Sequence, residues 1–120
     1  MTMATIMVLD DVSDAGNLVR RILERQGHDV HAFTEEEEAL AFAGQAKPDL
    51  AILDIKLKKM TGVEVLDELK KLVPTIKVIM LTGYPTLDTA RESMQLGANE
   101  YCVKPIDKSE LEAKVAEVLG

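Results

Sequence analysis

Short apolar stretches alternate along the chain with longer segments in which apolar residues return every three or four positions. The short stretches are residues 4–9 (ATIMVL), 30–33 (VHAF), 50–53 (LAIL), 76–81 (IKVIML) and 100–103 (EYCV). Each has strand length, and their near-continuous apolarity predicts strands buried on both faces, since a strand covered on one face alternates apolar and polar residues. The longer segments have a helical period. Residues 15–26 place Leu18, Val19, Ile22 and Leu23 on one face, and Gly27 is positioned to end the helix as its C-cap. The run TEEEEAL predicts a second helix start, with Thr34 as N-cap, Glu37 at capping-box spacing and negative charge at the positive end of the helix dipole. Further helices are predicted over 62–72, 86–96 and 107–119, with Pro48, Pro74 and the turn at Gly97 punctuating the joins.

The resulting order, βα repeated five times, predicts an α/β fold in which helices cover both faces of a five-stranded parallel sheet. At 120 residues the chain reads as one domain, 1–120. With two Phe, two Tyr and no Trp, the core must be built from Leu, Ile, Val, Ala and Met, and the six Met residues read as core filler or terminus rather than a cofactor box.

Charge narrows the function classes. A formal net charge of −7 argues against binding to nucleic acid or an anionic membrane, both of which reward clustered Lys and Arg. The single Cys102 forms no internal disulfide and reads as a buried, inert thiol suited to a reducing compartment. The first residues show neither a basic signal-peptide start nor a membrane span, so a cytoplasmic location is expected. His28 and His31 are placed at a strand edge, far in sequence from any other soft metal ligand.

The strand ends carry the candidate chemistry. In open parallel sheets, ligands bind outside the carboxyl ends of the strands. The first strand ends in Asp10 and Asp11, the third in Asp54, the fourth in Thr82 and the fifth in Lys104. Each alone has an ordinary explanation as a turn, cap or surface residue. Right-handed crossovers bring them all to one rim, and in strand order 2-1-3-4-5 the three carboxylates converge. Three close carboxylates repel unless a cation joins them, and an oxygen-only set with few side chains suits Mg²⁺. A metal, a lysine and a hydroxyl around one carboxylate equip it for phosphoryl transfer.

These residues bring a family into view. With DD at Asp10 and Asp11, ILD ending at Asp54, Gly62, LTG at 81–83, GANEY at 97–101 and KP at Lys104 and Pro105, the chain resembles the receiver domain of bacterial two-component response regulators over essentially its whole length. The resemblance implies the flavodoxin-like (βα)5 doubly wound sandwich. It also implies that Asp54 is the phosphoacceptor, taking its phosphoryl group from a sensor histidine kinase or phosphotransfer protein. Asp11, Asp54 and the backbone carbonyl of Lys56 would ligate Mg²⁺, with Asp10 acting through water. Thr82 would hydrogen-bond a phosphoryl oxygen, Lys104 would pair with another, and the Lys104–Pro105 bond would be cis. Tyr101 corresponds to an aromatic switch that turns inward as Thr82 moves. The output face would run over residues 86–119 and address a downstream effector protein or a fused output domain, with homodimerisation on phosphorylation within the family's repertoire. Such a receiver assists its own phosphorylation and dephosphorylation without being an enzyme proper.

Two departures stand out. Lys58 occupies a position four residues after the acceptor where the family often has proline, which predicts a more mobile or more basic loop. Lys56 and Tyr84 fill two positions that tune dephosphorylation in receivers, where they could shield the phosphoryl group from water; the side chain of Lys56 is expected in solvent.

Other classes fit less well. A phosphatase of the haloacid dehalogenase type needs a second acid two residues past the nucleophile, where Lys56 stands. A flavodoxin-like cofactor carrier needs a Ser/Thr/Gly-rich first loop, where this chain has DDVSDAGN. A receiver reduced to an interaction module has no need of the complete set of Asp10, Asp11, Asp54, Thr82 and Lys104.

Overall fold

The computed structural model describes residues 4–120. Five strands alternate with five helices: β1 (Thr5–Leu9), α1 (Ser13–Glu24), β2 (Asp29–Phe33), α2 (Glu36–Ala46), β3 (Leu50–Leu53), α3 (Gly62–Leu72), β4 (Lys77–Thr82), α4 (Leu87–Gln95), β5 (Glu100–Val103) and α5 (Lys108–Leu119). The pairings between these five strands are all parallel, in the order β2-β1-β3-β4-β5. This is the parallel sheet covered on both faces that the alternation of short apolar runs and helical segments predicts, in the flavodoxin-like order that the resemblance implies.

The pleat explains why the strands read as continuous apolar runs. Ile6 and Val8 of β1 face one layer with Ile52, Ile79 and Cys102, where Leu23 of α1 and Leu111 and Val115 of α5 close the core. Met7 and Leu9 face the other layer with Leu53, Val78 and Met80, against Ala39 and Ala43 of α2 and Val65, Leu66 and Leu69 of α3. Each fully buried Leu or Ile contributes roughly 1.5–3 kcal/mol, so both faces of the sheet are held by aliphatic burial with little aromatic help. The Cys102 thiol is buried in the first of these layers, and that burial pushes its pKa up.

Helix boundaries depart from the sequence pattern in instructive places. Helix α1 starts two residues earlier than its apolar periodicity indicates, and Leu18 lies 55% exposed, off the core-facing stripe. Gly27 adopts φ 93° two residues beyond the C-cap Arg25, and its left-handed conformation turns the chain toward β2. Thr34 does not cap α2. The extended N-cap is Glu35, with no side-chain cap bond, because the entry to α2 is instead fixed by contacts of Glu35–Glu37 to the loop after β3. Helices α3, α4 and α5 have side-chain caps at Thr61, Thr86 and Asp107. No helix among the described residues is long and apolar enough to cross a membrane.

Candidate functional site

Parallel register delivers the predicted residues to one rim. The Asp10 amide continues the β1–β2 ladder by donating to the Phe33 carbonyl at 3.1 Å, and the Asp54 amide donates to the Leu9 carbonyl at 3.0 Å. The Lys104 amide donates to the Thr82 carbonyl at 2.8 Å. Backbone pairing therefore fixes Asp10, Asp54 and Lys104 one residue beyond the last strand positions, at the rim of the sheet.

Asp10 and Asp54 are each 6% exposed. Carboxylate oxygens of Asp10, Asp11 and Asp54 lie within 4.8 Å of one another. The Lys104 ammonium donates to Asp10 Oδ2 at 2.6 Å and to Asp54 Oδ2 at 3.0 Å. Burial alone would push the Lys104 pKa down, but the hydrogen bonds and charges of Asp10 and Asp54 outweigh it and hold the pKa above the usual lysine value. The remaining oxygens have local donors: Val12 N–H to Asp10 Oδ1 at 2.9 Å and Ile55 N–H to Asp54 Oδ1 at 2.7 Å. One ammonium against three carboxylates leaves an excess of negative charge that one divalent cation would balance.

The peptide following Lys104 is cis, as the resemblance implies. Thr82 is fully buried, and its hydroxyl accepts from the Tyr84 amide at 3.0 Å. Tyr101 is half-buried and pairs with the Thr89 hydroxyl at 2.7 Å, so its hydroxyl is tied to the first turn of α4. The Lys56 side chain is exposed but does not simply extend into solvent: its ammonium lies 4.5 Å from the Tyr84 ring centroid. The Lys56 backbone forms an antiparallel bridge with Thr61.

Gly62 matters at this point. A Cβ on it would lie 2.0 Å from the Asp54 carbonyl oxygen and 2.9 Å from the Ile55 Cα, so only glycine lets α3 begin against the backbone of the acceptor candidate.

The family model for the response regulator receiver domain matches residues 6–116. The chain belongs to the response regulator receiver family. The receiver is 36% identical over 114 residues to the alkaline phosphatase synthesis transcriptional regulatory protein PhoP of Bacillus subtilis, covering 95% of this chain but 48% of that relative. It superposes on a CheY-like receiver domain protein from Methanospirillum hungatei JF-1 with a TM-score of 0.95 and 35% identity, over 98% of this chain and 94% of the other. A response regulator from Burkholderia pseudomallei, solved with a phosphorylated aspartic acid, a calcium ion and citrate, superposes with a TM-score of 0.87 and 30% identity, over 96% of this chain and 66% of that one.

The structure brings Asp10, Asp11, Asp54 and Lys104 into one cluster and holds Thr82 at the end of β4, while Tyr101 sits apart from them against α4. The two lysines that follow Lys56 in the loop are engaged elsewhere. Lys58 pairs with Glu35 at 2.9 Å and Lys59 with Glu37 at 3.4 Å, so the loop is tethered to α2 and its added positive charge is met there. Sequence reasoning missed Glu36 altogether. Its carboxylate is 1% exposed and accepts from the amides of Lys59 and Met60. A glutamate at a helix start has the same sequence appearance whether it faces water or a loop more than twenty residues away.

Proposed function

We propose that this receiver accepts a phosphoryl group on Asp54 in the presence of Mg²⁺ and passes the signal on through α4, β5 and α5. The observation that carries this reading is the nearly buried Asp54 carboxylate, 3.0 Å from the Lys104 ammonium and within one three-carboxylate cluster. The donor set fits Mg²⁺: hard oxygen ligands from Asp11 and Asp54, with Asp10 through water and the Lys56 carbonyl completing the protein's share. When bound, the metal would offset charge on the phosphoryl oxygens.

The chain's own residues do the rest. An Asp54 oxygen attacks phosphorus, forming the O–P bond as the P–N bond to a histidine of the donor breaks and its electron pair returns to the ring nitrogen. Lys104 is already charged and poised, so it can leave Asp54 Oδ2 for a phosphoryl oxygen without a change of protonation. Thr82 exchanges its Tyr84 amide donor for a phosphoryl oxygen as acceptor, which draws the β4–α4 loop toward the site. Tyr101 must release Thr89 to turn inward, so the two rearrangements meet at the start of α4. Positioning and charge neutralisation account for the reaction, and small donors such as acetyl phosphate suffice.

The output side has the character of a binding face. Leu87, Met94 and Val103 are 71%, 49% and 50% exposed on α4 and β5. Such apolar exposure suits an effector protein, a fused output domain or a second receiver. On the input side, a histidine kinase or phosphotransfer protein would present its phosphohistidine to the Asp54 rim.

The test is incubation with acetyl phosphate and Mg²⁺ followed by intact-mass spectrometry. One phosphoryl adduct is expected, absent in Asp54→Asn. No adduct, even from a cognate kinase, would favour a receiver acting only as an interaction module. An adduct that persists in Asp54→Asn would place the acceptor elsewhere.

A further inference from the structure

We infer that Glu36 is a positioning residue for the site: from the first turn of α2 it clasps the β3–α3 loop and so holds the Lys56 segment in its metal-binding conformation. This rests on the proposed role of Asp54 and Mg²⁺.

A carboxylate that is 1% exposed has given up most of its hydration, which is costly unless hydrogen bonds replace it. Glu36 Oε2 accepts from two consecutive amides, Lys59 N–H at 2.5 Å and Met60 N–H at 2.7 Å. Two bonds from adjacent peptides to one oxygen fix the orientation of both peptide planes. Oε1 is buried without a hydrogen-bond partner, so the whole polar engagement of this side chain with the loop passes through those two amides.

The loop has no comparable anchor. Its ends are fixed by the Gly62 amide donating to the Ile55 carbonyl at 2.7 Å and by the Lys56–Thr61 bridge. Among the described residues, the hydrogen bonds leaving the arc 57–60 for the rest of the chain all end on Glu35, Glu36 or Glu37. Leu57 and Met60 add apolar contacts to the core. The Lys58–Glu35 and Lys59–Glu37 pairs join exposed side chains and leave the backbone free; exposed ion pairs of this kind are worth little. Glu36 alone grips the backbone. Where a proline would stiffen the loop through its ring, this chain has Lys58 and a carboxylate brought in from another helix.

The experiment uses the full chain with Glu36→Ala, Glu36→Gln and, as charge controls, Glu35→Gln and Glu37→Gln. Amide exchange at Lys59 and Met60 is followed by NMR without metal, and Mg²⁺ is titrated by chemical shift. Glu36→Ala is expected to speed exchange of both amides by about tenfold or more, the loss of charge-assisted bonds. Its Mg²⁺ dissociation constant should rise by about three- to tenfold, with phosphorylation by acetyl phosphate restored at saturating Mg²⁺. Glu36→Gln keeps an acceptor oxygen and should fall between, which also covers an alanine variant too unstable to study. The charge controls should stay within about twofold of the parent. Faster exchange with unchanged Mg²⁺ affinity would overturn the inference and reduce Glu36 to a structural role. Equal losses in the charge controls would overturn it in favour of general electrostatics. A parent chain that binds no Mg²⁺ would overturn the site reading itself.

Discussion

The Lys56 ammonium and the Tyr84 ring meet at 4.5 Å from loops that follow the neighbouring strands β3 and β4. Lys56 lies two residues past Asp54 and Tyr84 two past Thr82, so the contact spans the two segments flanking the proposed phosphoryl group. A cation over an aromatic face at an exposed site is worth about 0.5–1 kcal/mol, enough to bias the two side chains toward each other. Removing either partner should admit water, and phosphoryl decay measured by mass spectrometry should accelerate about two- to fivefold in Tyr84→Ala and in Lys56→Ala. Because the partners act together, the double variant should decay little faster than either single one. Decay at the parent rate in both singles would mean that the pair does not shade the site.

Tyr101 and Thr89 form a second contact with a measurable consequence. The Tyr101 hydroxyl pairs with Thr89 at 2.7 Å, and Thr89 pairs in turn with the N-cap hydroxyl of Thr86 at 2.9 Å. A net hydrogen bond of this kind contributes about 0.5–1.5 kcal/mol. Tyr101→Phe and Thr89→Val should each lower stability to urea by about that amount, and the double-mutant cycle should show a coupling near 1 kcal/mol. Additive losses would show that the hydroxyls are not coupled and that the tyrosine is held by its ring alone.

What the sequence disclosed and what it withheld follow from the range of the forces involved. Strands buried on both faces appear as apolar runs, and the first polar residue after each run marks the rim, so Asp10, Asp54 and Lys104 were legible without coordinates. The cap at Thr61 was less obvious, yet its partner Glu64 is only three residues away. Contacts whose partners lie on separate elements leave no such trace. Glu36 with Lys59, Lys56 with Tyr84 and Tyr101 with Thr89 each join residues that local pattern treats as independent. Thr34 was misread as a cap for the same reason: the entry to α2 answers to the distant loop and not to its own hydroxyl.

Acid should release the Glu36 clasp. Burial by itself would raise the Glu36 pKa, but the amides of Lys59, Met60 and Glu36 itself overcome it and lower the pKa below its ordinary value of 4.5. A depressed folded-state pKa means that the unfolded chain binds the proton more readily. The stabilisation is therefore present above the unfolded value and is lost as pH falls through the folded one. Urea midpoints should decline below about pH 4.5, and Glu36→Gln, which does not titrate, should decline less steeply over the same window. Parallel pH profiles for parent and variant would contradict the assignment.

Two glycines allow a paired prediction with opposite signs. Gly62→Ala would place a methyl group 2.0 Å from the Asp54 carbonyl oxygen, and that neighbour is backbone at the end of a central strand. Either α3 shifts or the Asp54–Lys56 backbone does, and overpacking of this kind costs about 1–3 kcal/mol. The urea midpoint should fall by about 1 M, and Mg²⁺ affinity should fall with it, because the displaced backbone carries two of the proposed ligands. Gly44 lies inside α2 with nothing within 4 Å of its would-be Cβ. Gly44→Ala should raise stability by about 0.5–1 kcal/mol through helix propensity and leave Mg²⁺ binding unchanged. If Gly62→Ala kept both the parent midpoint and the parent Mg²⁺ affinity, the close approach of α3 to Asp54 would not be a feature of the protein in solution.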